Sequence, residues 1–152
     1  MKLLRTNSEN PEFQKLAYRL EEELRIRDGD EQEFYATLNQ IGKLAQALVA
    51  FEQDLPVGCG ALRSFNDDCI EIKRMYVEPG SRGKSYATAI LLELEKWASE
   101  IGYNCLVLET GRNQPEAIAL YEKNGYRQIP RFGRYLESGN SICFKKIIPH
   151  SI

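Results

Sequence analysis

The sequence predicts an α/β fold built on a mixed, largely antiparallel sheet, and three observations carry that reading. Residues 9–26 set Phe13, Leu16, Ala17, Leu20 and Leu24 three and four positions apart, the period of an amphipathic helix. From residue 44 the pattern changes to alternating or unbroken apolar runs: "LAQALVAF" (44–51), "LPVGCGALR" (55–63) and "CIEIKRMYV" (69–77), joined by the polar links "EQD" and "SFNDD" that suit hairpins. The chain then runs strand, helix, strand from residue 69 to 109. Such a unit needs a parallel crossover, so meander and crossover together make the sheet mixed.

The elements follow in order. A short strand opens the chain ahead of the first helix. "RDGDEQ" breaks that helix, and residues 31–42 are read as a second, shorter one. After the three-strand meander, a long helix covers about 83–101, with Tyr86, Ile90, Leu94, Trp97 and Ile101 on one face, flanked by Leu91 and Ala98. "GYNCLVLET" holds a buried strand from Cys105 to Glu109. Asn113 reads as the N-cap of the next helix, with Pro115 in its first turn and Glu116 completing an Asn-x-x-Glu capping pattern. Ala117, Leu120 and Tyr121 form its apolar stripe, and Gly125 ends it. A short strand near Tyr126–Ile129, the polar loop "PRFGRYLESGN" and a last strand "SICFKKII" complete the chain. No repeat and no linker divides it, so residues 1–152 are read as one domain.

Composition narrows the function. A net charge of −2 and a pI near 5.6 argue against a general nucleic-acid binder, which needs a basic face. "MKLLRTNSEN" is too short an apolar run for a signal peptide, and no stretch is long enough to span a bilayer, so no membrane role is expected. Cys59, Cys69, Cys105 and Cys143 show no C-x-x-C spacing and sit inside apolar runs. They read as buried, reduced core residues, which points to the cytoplasm. The one histidine, His150, lies near the end of the sequence. Histidine-dependent nucleophile systems and most histidine metal sites are therefore not expected, and no metal is assigned. Proton transfer would fall to carboxylates, tyrosine, lysine or water.

The stretch "VEPGSRGKSYATAILLELEKW" (77–97) places Gly80, Arg82, Gly83 and Lys84 where a strand turns into a helix. A helix start offers backbone N–H groups and about half a positive charge, a site for phosphate. Arg82 and Lys84 can add full charges there without making the whole protein basic.

At this point the residues from Ile70 to Tyr126 resemble the core of the GCN5-related N-acetyltransferase (GNAT) superfamily. Arg82-Gly83-Lys84-Ser85-Tyr86-Ala87 is similar to the family's pyrophosphate loop, and "NQPEAIALYEKNGY" is similar to its Asn-x-x-Ala-x-x-Leu-Tyr-x-x-x-Gly-Tyr/Phe segment. The order of elements matches as well. The resemblance implies a sheet of roughly six to seven strands flanked by about four helices, with a splay between two central parallel strands. It also implies acetyl-CoA as co-substrate, an amine acceptor, and transfer by direct attack in a ternary complex. The pantetheine arm would pair with backbone around Met75, Tyr76 and Val77, and Asn113 would help to hold it. Ser85 stands where the family has glycine. It keeps the N–H but adds a Cβ, tolerable at negative φ and costly in the left-handed region. Its hydroxyl could either cap the helix or meet a phosphate oxygen.

For catalysis the resemblance points to Tyr121 as general acid, a tyrosine being protonated at neutral pH and able to donate to a departing thiolate. Glu71 matches the strand position of a glutamate general base, and alternation puts it on one face with Lys73, Met75 and Val77. Glu109, at the end of the next strand, is the second candidate base. Arg127, Arg131 and Arg134 read as solvated surface charges. A non-catalytic acyl-CoA-binding module of the same fold is the alternative function. The acceptor's identity, and action as monomer or homodimer, stay open.

Overall fold

The computed structural model describes residues 1–28 and 44–149, so the helix expected at 31–42 and His150 lie outside the described residues. Chain order is β1 (Lys2–Thr6), α1 (Pro11–Asp28), β2 (Gln46–Glu52), β3 (Leu55–Ser64) and β4 (Cys69–Val77), then a 3-10 turn (Pro79–Ser81). It continues through α2 (Tyr86–Glu100), β5 (Cys105–Gly111), α3 (Pro115–Lys123), β6 (Arg127–Ile129), a second 3-10 turn (Gly133–Tyr135) and β7 (Ser141–Ile147). The seven strands form one sheet in the order β1-β2-β3-β4-β5-β7-β6. Only β4 and β5 run parallel; the other neighbours are antiparallel. The fold class is the expected one, with three α-helices among the described residues.

Each helix begins for a local reason. Asn10 caps α1, its Oδ1 accepting from the N–H groups of Glu12 (2.9 Å) and Phe13 (3.1 Å). The apolar stripe of α1 then buries Phe13 and Leu16 against Ala47, Val49, Cys59, Ala61 and Tyr76 on one face of the sheet. On the opposite face α2 buries Ile90, Leu91, Leu94 and Ala98 against Leu48, Leu62, Ile70, Ile72 and Leu106. The helix starts at Tyr86 rather than near 83, and Ile101, expected on its buried face, sits past its end and is 41% exposed. For α3 the cap differs from expectation. Gln114 occupies the N-cap position without a side-chain capping bond, and Asn113 is an exposed residue before it. The Asn-x-x-Glu pattern is off by one residue, so no capping box forms. Gly125 stops α3 as expected, in the left-handed region at φ 89°.

A second correction concerns β4. Cys59 pairs with Tyr76 and Ala61 with Lys73, so β3 advances two residues while β4 advances three. The extra residue is Arg74, at φ 60°. Beyond this bulge the alternation is inverted. Glu71 and Lys73 face the side that α1 covers, whereas Met75 and Val77 pack with the α2 cluster. The four residues do not share a face.

The cysteines supply a third. Cys69 and Cys105, directly opposite each other in the parallel pair with Cα atoms 4.5 Å apart, form a disulfide. Only Cys59 and Cys143 are free, both buried. A cytoplasmic location therefore draws no support from four free thiols. The measurable consequence is that the chain, denatured without reductant, should titrate two thiols, and the other pair only after reduction.

Close helix–sheet contact depends on β3. A Cβ at Gly60 would lie 2.9 Å from Ile90 Cγ2, Leu94 Cδ1 and Met75 Sδ alike. Three simultaneous overlaps leave no single side chain that can step aside. Gly60→Ala should therefore cost about 1–3 kcal/mol in chemical denaturation, the usual range for overpacking.

Candidate active site

The parallel pairing of β4 with β5 lasts for three residue pairs, Cys69↔Cys105, Ile70↔Leu106 and Glu71↔Val107. Past Glu71 the strands diverge, β4 running on to Val77 and β5 to Gly111. This splay is a cavity of about 590 Å³, walled by Ile72–Val77 on one side and Glu109–Gly111 on the other. It is lined from both faces of the sheet: Ala117, Leu120 and Tyr121 of α3 on one, Leu20, Glu23 and Leu24 of α1 on the other. Unpaired strand edges of this kind expose main-chain donors and acceptors to an extended ligand.

One end of the cavity is the start of α2. Its first intrahelical bond runs from Ala89 N–H to Ser85 O at 3.0 Å, so the N–H groups of Tyr86, Ala87 and Thr88 have no acceptor within the helix. All three residues line the cavity. Gly83 and Ser85 both adopt left-handed backbone, at φ 78° and 69°. For Ser85 that conformation costs about 1–2 kcal/mol, which a glycine would not incur. Its side chain makes no capping bond, so the capping reading fails. The residue is exposed and lines the cavity.

Arg82 lines the cavity too, but it is already engaged. Its Nε–H donates to Val77 O at 2.8 Å, a second guanidinium nitrogen donates to Glu23 Oε1 at 2.6 Å, and the group lies 5.6 Å from the centroid of the Tyr76 ring. Lys84 and Asn113 are exposed and lie outside the cavity lining.

The carboxylates and tyrosines sort by face. Tyr121 is buried among Phe144 and Tyr126, with ring centroids 6.1 Å and 5.7 Å away. Burial, then the nearby Glu109 carboxylate, push its phenol well above the ordinary tyrosine value, so it stays protonated. Glu109 enters the cavity from the other face of the sheet and accepts a hydrogen bond from Ser141 Oγ at 2.6 Å. Glu71 does not line the cavity. It is 5% exposed and sits behind Tyr135, whose hydroxyl donates to Glu71 Oε2 at 3.0 Å. Lys73 does line the cavity, and its Nζ donates to Tyr135 Oη at 2.7 Å.

Sequence reasoning singled out neither Lys73 nor Tyr135 as a candidate site residue. Lys73 carried one signal, a charged residue two positions from Glu71 in an apolar strand; Tyr135 carried another, its place beside Arg131 and Arg134 in the polar loop before the last strand. The free thiols offer little as nucleophiles: burial pushes Cys143 up to about 11 and Cys59 higher still, and neither lines the cavity.

A parallel pair that parts over a helix N-terminus, with a buried tyrosine on the following helix, defines the acyl-CoA N-acyltransferase fold. Residues 7–126 match the model of the Acetyltransferase (GNAT) family, and the chain belongs to that family. It is 39% identical to an IAA acetyltransferase of Azospirillum brasilense over 65% of each chain, just under two thirds of that relative's length. Among solved structures, a candidate acyl-CoA N-acyltransferase of Klebsiella pneumoniae superposes with a TM-score of 0.77 at 28% identity, covering 96% of both chains. A GNAT acetyltransferase of Elizabethkingia anophelis, solved with acetyl-CoA bound, superposes with a TM-score of 0.67 at 17% identity over 97% of each.

The Arg82–Glu23 pair has a measurable consequence. Glu23 competes with any phosphate for the same guanidinium, and an exposed pair of this kind is worth about 0.2–1 kcal/mol. Glu23→Gln should therefore tighten coenzyme A binding up to about fivefold in calorimetry at low salt, with a smaller gain at high salt.

Proposed function

We propose that the chain, as one domain over residues 1–152, transfers an acetyl group from acetyl-CoA to a primary amine by direct attack in a ternary complex, without a metal and in the cytoplasm. The observation that carries this reading is the meeting of Tyr121 and Glu109 in one splay from opposite faces of the sheet. A donor and a carboxylate are thereby set on either side of the gap where two strands stop pairing.

The residues fit an acyl-CoA. The first-turn N–H groups of α2 and the loop from Arg82 to Ala87 suit its pyrophosphate, and the open edge at Met75, Tyr76 and Val77 suits an extended amide-bearing arm. The thioester supplies the acetyl group and a thiolate leaving group. Tyr121, kept protonated by burial, donates to that thiolate as the C–S bond breaks. Glu109 attracts and orients the incoming ammonium. Glu71, set back from the cavity, acts only through the groups in front of it. The two free cysteines are buried away from the cavity, which favours direct attack over an acyl-enzyme. The acetyl-CoA held by the Elizabethkingia anophelis structure supports the choice of co-substrate.

The test is thiol release from acetyl-CoA against a panel of primary amines, with Tyr121→Phe beside the wild type. Release should require both substrates, and Tyr121→Phe should lower turnover about a hundredfold or more. Acetyl-CoA affinity and melting temperature should hardly move, because the ring stays. Near-normal turnover in Tyr121→Phe removes the general acid. Binding of acetyl-CoA with no release for any amine favours a sensing module instead.

A further inference from the structure

Lys73 is the buried titratable group that the acetyl-transfer chemistry leaves unused. It is 5% exposed, yet it lines the cavity beside Glu109, on the face opposite Tyr121. Behind it runs a directed chain of hydrogen bonds. Nζ donates to Tyr135 Oη at 2.7 Å, Tyr135 Oη donates to Glu71 Oε2 at 3.0 Å, and Nζ lies 3.8 Å from the same carboxylate oxygen. Burying a lysine and a glutamate together costs desolvation energy that a pair of apolar side chains would avoid. The chain bears that cost at the edge of the cavity.

We propose that Lys73 takes the proton from the acceptor amine, with Tyr135 and Glu71 as positioning residues that hold it and offset its charge. The proposal rests on the acetyl-transfer reading of the cavity. In the step, an N–H bond of the acceptor's ammonium breaks as a bond to the neutral Lys73 Nζ forms, leaving the acceptor's lone pair for the thioester carbonyl. Lys73, now an ammonium, donates to Tyr135 Oη and has its charge offset by the Glu71 carboxylate 3.8 Å away. The extra proton then passes from Lys73 to bulk water through the cavity, which returns Lys73 to the neutral form, and no other reactant is needed. Glu71, which the fold keeps out of the cavity, thus serves the reaction without touching the substrate.

The groups that face Lys73 set its charge. Glu71 on the same strand and Glu109 on β5 favour the ammonium; burial, Arg74 on β4 and Arg63 on β3 oppose it, and burial is the largest. The Tyr135 hydroxyl, from the loop that covers this face, completes the set. The outcome is a lysine that loses its proton below the usual lysine range, the direction a base requires.

The experiment compares wild type, Lys73→Met, Tyr135→Phe and Glu71→Gln in three readouts: acetyl-CoA calorimetry, kcat against pH at saturating amine, and titration of lysine 13Cε resonances. Lys73→Met should lower kcat about a hundredfold or more with acetyl-CoA affinity unchanged. In the two milder variants the Lys73 ammonium loses support, so its pKa falls further. The acid limb of the pH profile should accordingly move to lower pH, and the Lys73 resonance should follow it. A limb that vanishes in Glu71→Gln would make Glu71 itself the base and overturn the proposal. So would a Lys73 resonance that titrates with the surface lysines, or near-normal kcat in Lys73→Met. Absence of thiol release by wild type with every amine would instead remove the acetyl-transfer reading, and the proposal with it.

Discussion

The short parallel pairing of β4 with β5 is the constraint on which the site depends. After Glu71 and Val107 the strands part, and a sheet that parts must have its exposed edges satisfied by something other than itself. The bulge at Arg74 makes this opening chemically useful. It is fastened from both sides: Cys59 Sγ–H donates to Arg74 O at 3.2 Å, and the Arg74 guanidinium donates to Glu21 of α1 at 2.9 Å. With the extra residue in place, Met75 and Val77 join the α2 face while Lys73 keeps the other. One strand thus presents an apolar wall to one side of the gap and a titratable group to the other.

The proposed anion site is compatible with an acidic protein because its positive potential is local. Backbone N–H groups of α2 carry no net charge and need no compensating acid. Arg82 does need one. It is held by Val77 O and Glu23, a main-chain acceptor on the splay and a carboxylate on α1. Val77 and Glu23 both line the cavity, so a ligand that engaged Arg82 would exchange internal bonds for its own. The net gain is then smaller than a free arginine would give. The left-handed Ser85 adds to the same balance, since its strain is present before any ligand arrives.

Much of the fold was legible because it rests on period. The stripes of α1 and α3, the meander and the crossover follow from apolar spacing, and those spacings survive in the packed clusters. What was illegible depends on single backbone angles or on distant partners. Arg74 has no feature that marks it for a left-handed bulge, so the face of Glu71 could not be joined correctly to that of Met75. The Asn113 cap failed by one residue, within the ordinary uncertainty of helix ends. Pairing of Cys69 with Cys105 required the strand register, and the contact of Lys73 with Tyr135 spans 62 positions of sequence. The cavity itself drew on both kinds of information. Local pattern singled out Arg82, Gly83, Ser85, Tyr86, Ala87 and Tyr121, which line the cavity, and Lys84, which does not, whereas the side chains on the opposite face were not singled out.

A second buried ionic cluster shows how the same protein uses charge away from the cavity. Glu95, in the middle of α2, accepts from Tyr126 Oη and from Lys146 Nζ, each at 2.9 Å. None of the three lines the splay. Their effect reaches it through the backbone, since the Tyr126 N–H donates to Tyr121 O at 3.0 Å just where Gly125 turns the chain out of α3. Fixing the Tyr126 ring to α2 and β7 therefore fixes the last turn of α3, and with it the direction of the Tyr121 side chain. A tyrosine on a nine-residue helix without a side-chain cap would otherwise depend on a frayed element. The buried Glu95 cluster offsets that weakness from the far end, so the geometry of Tyr121 is set by α2 and β7 as much as by its own helix.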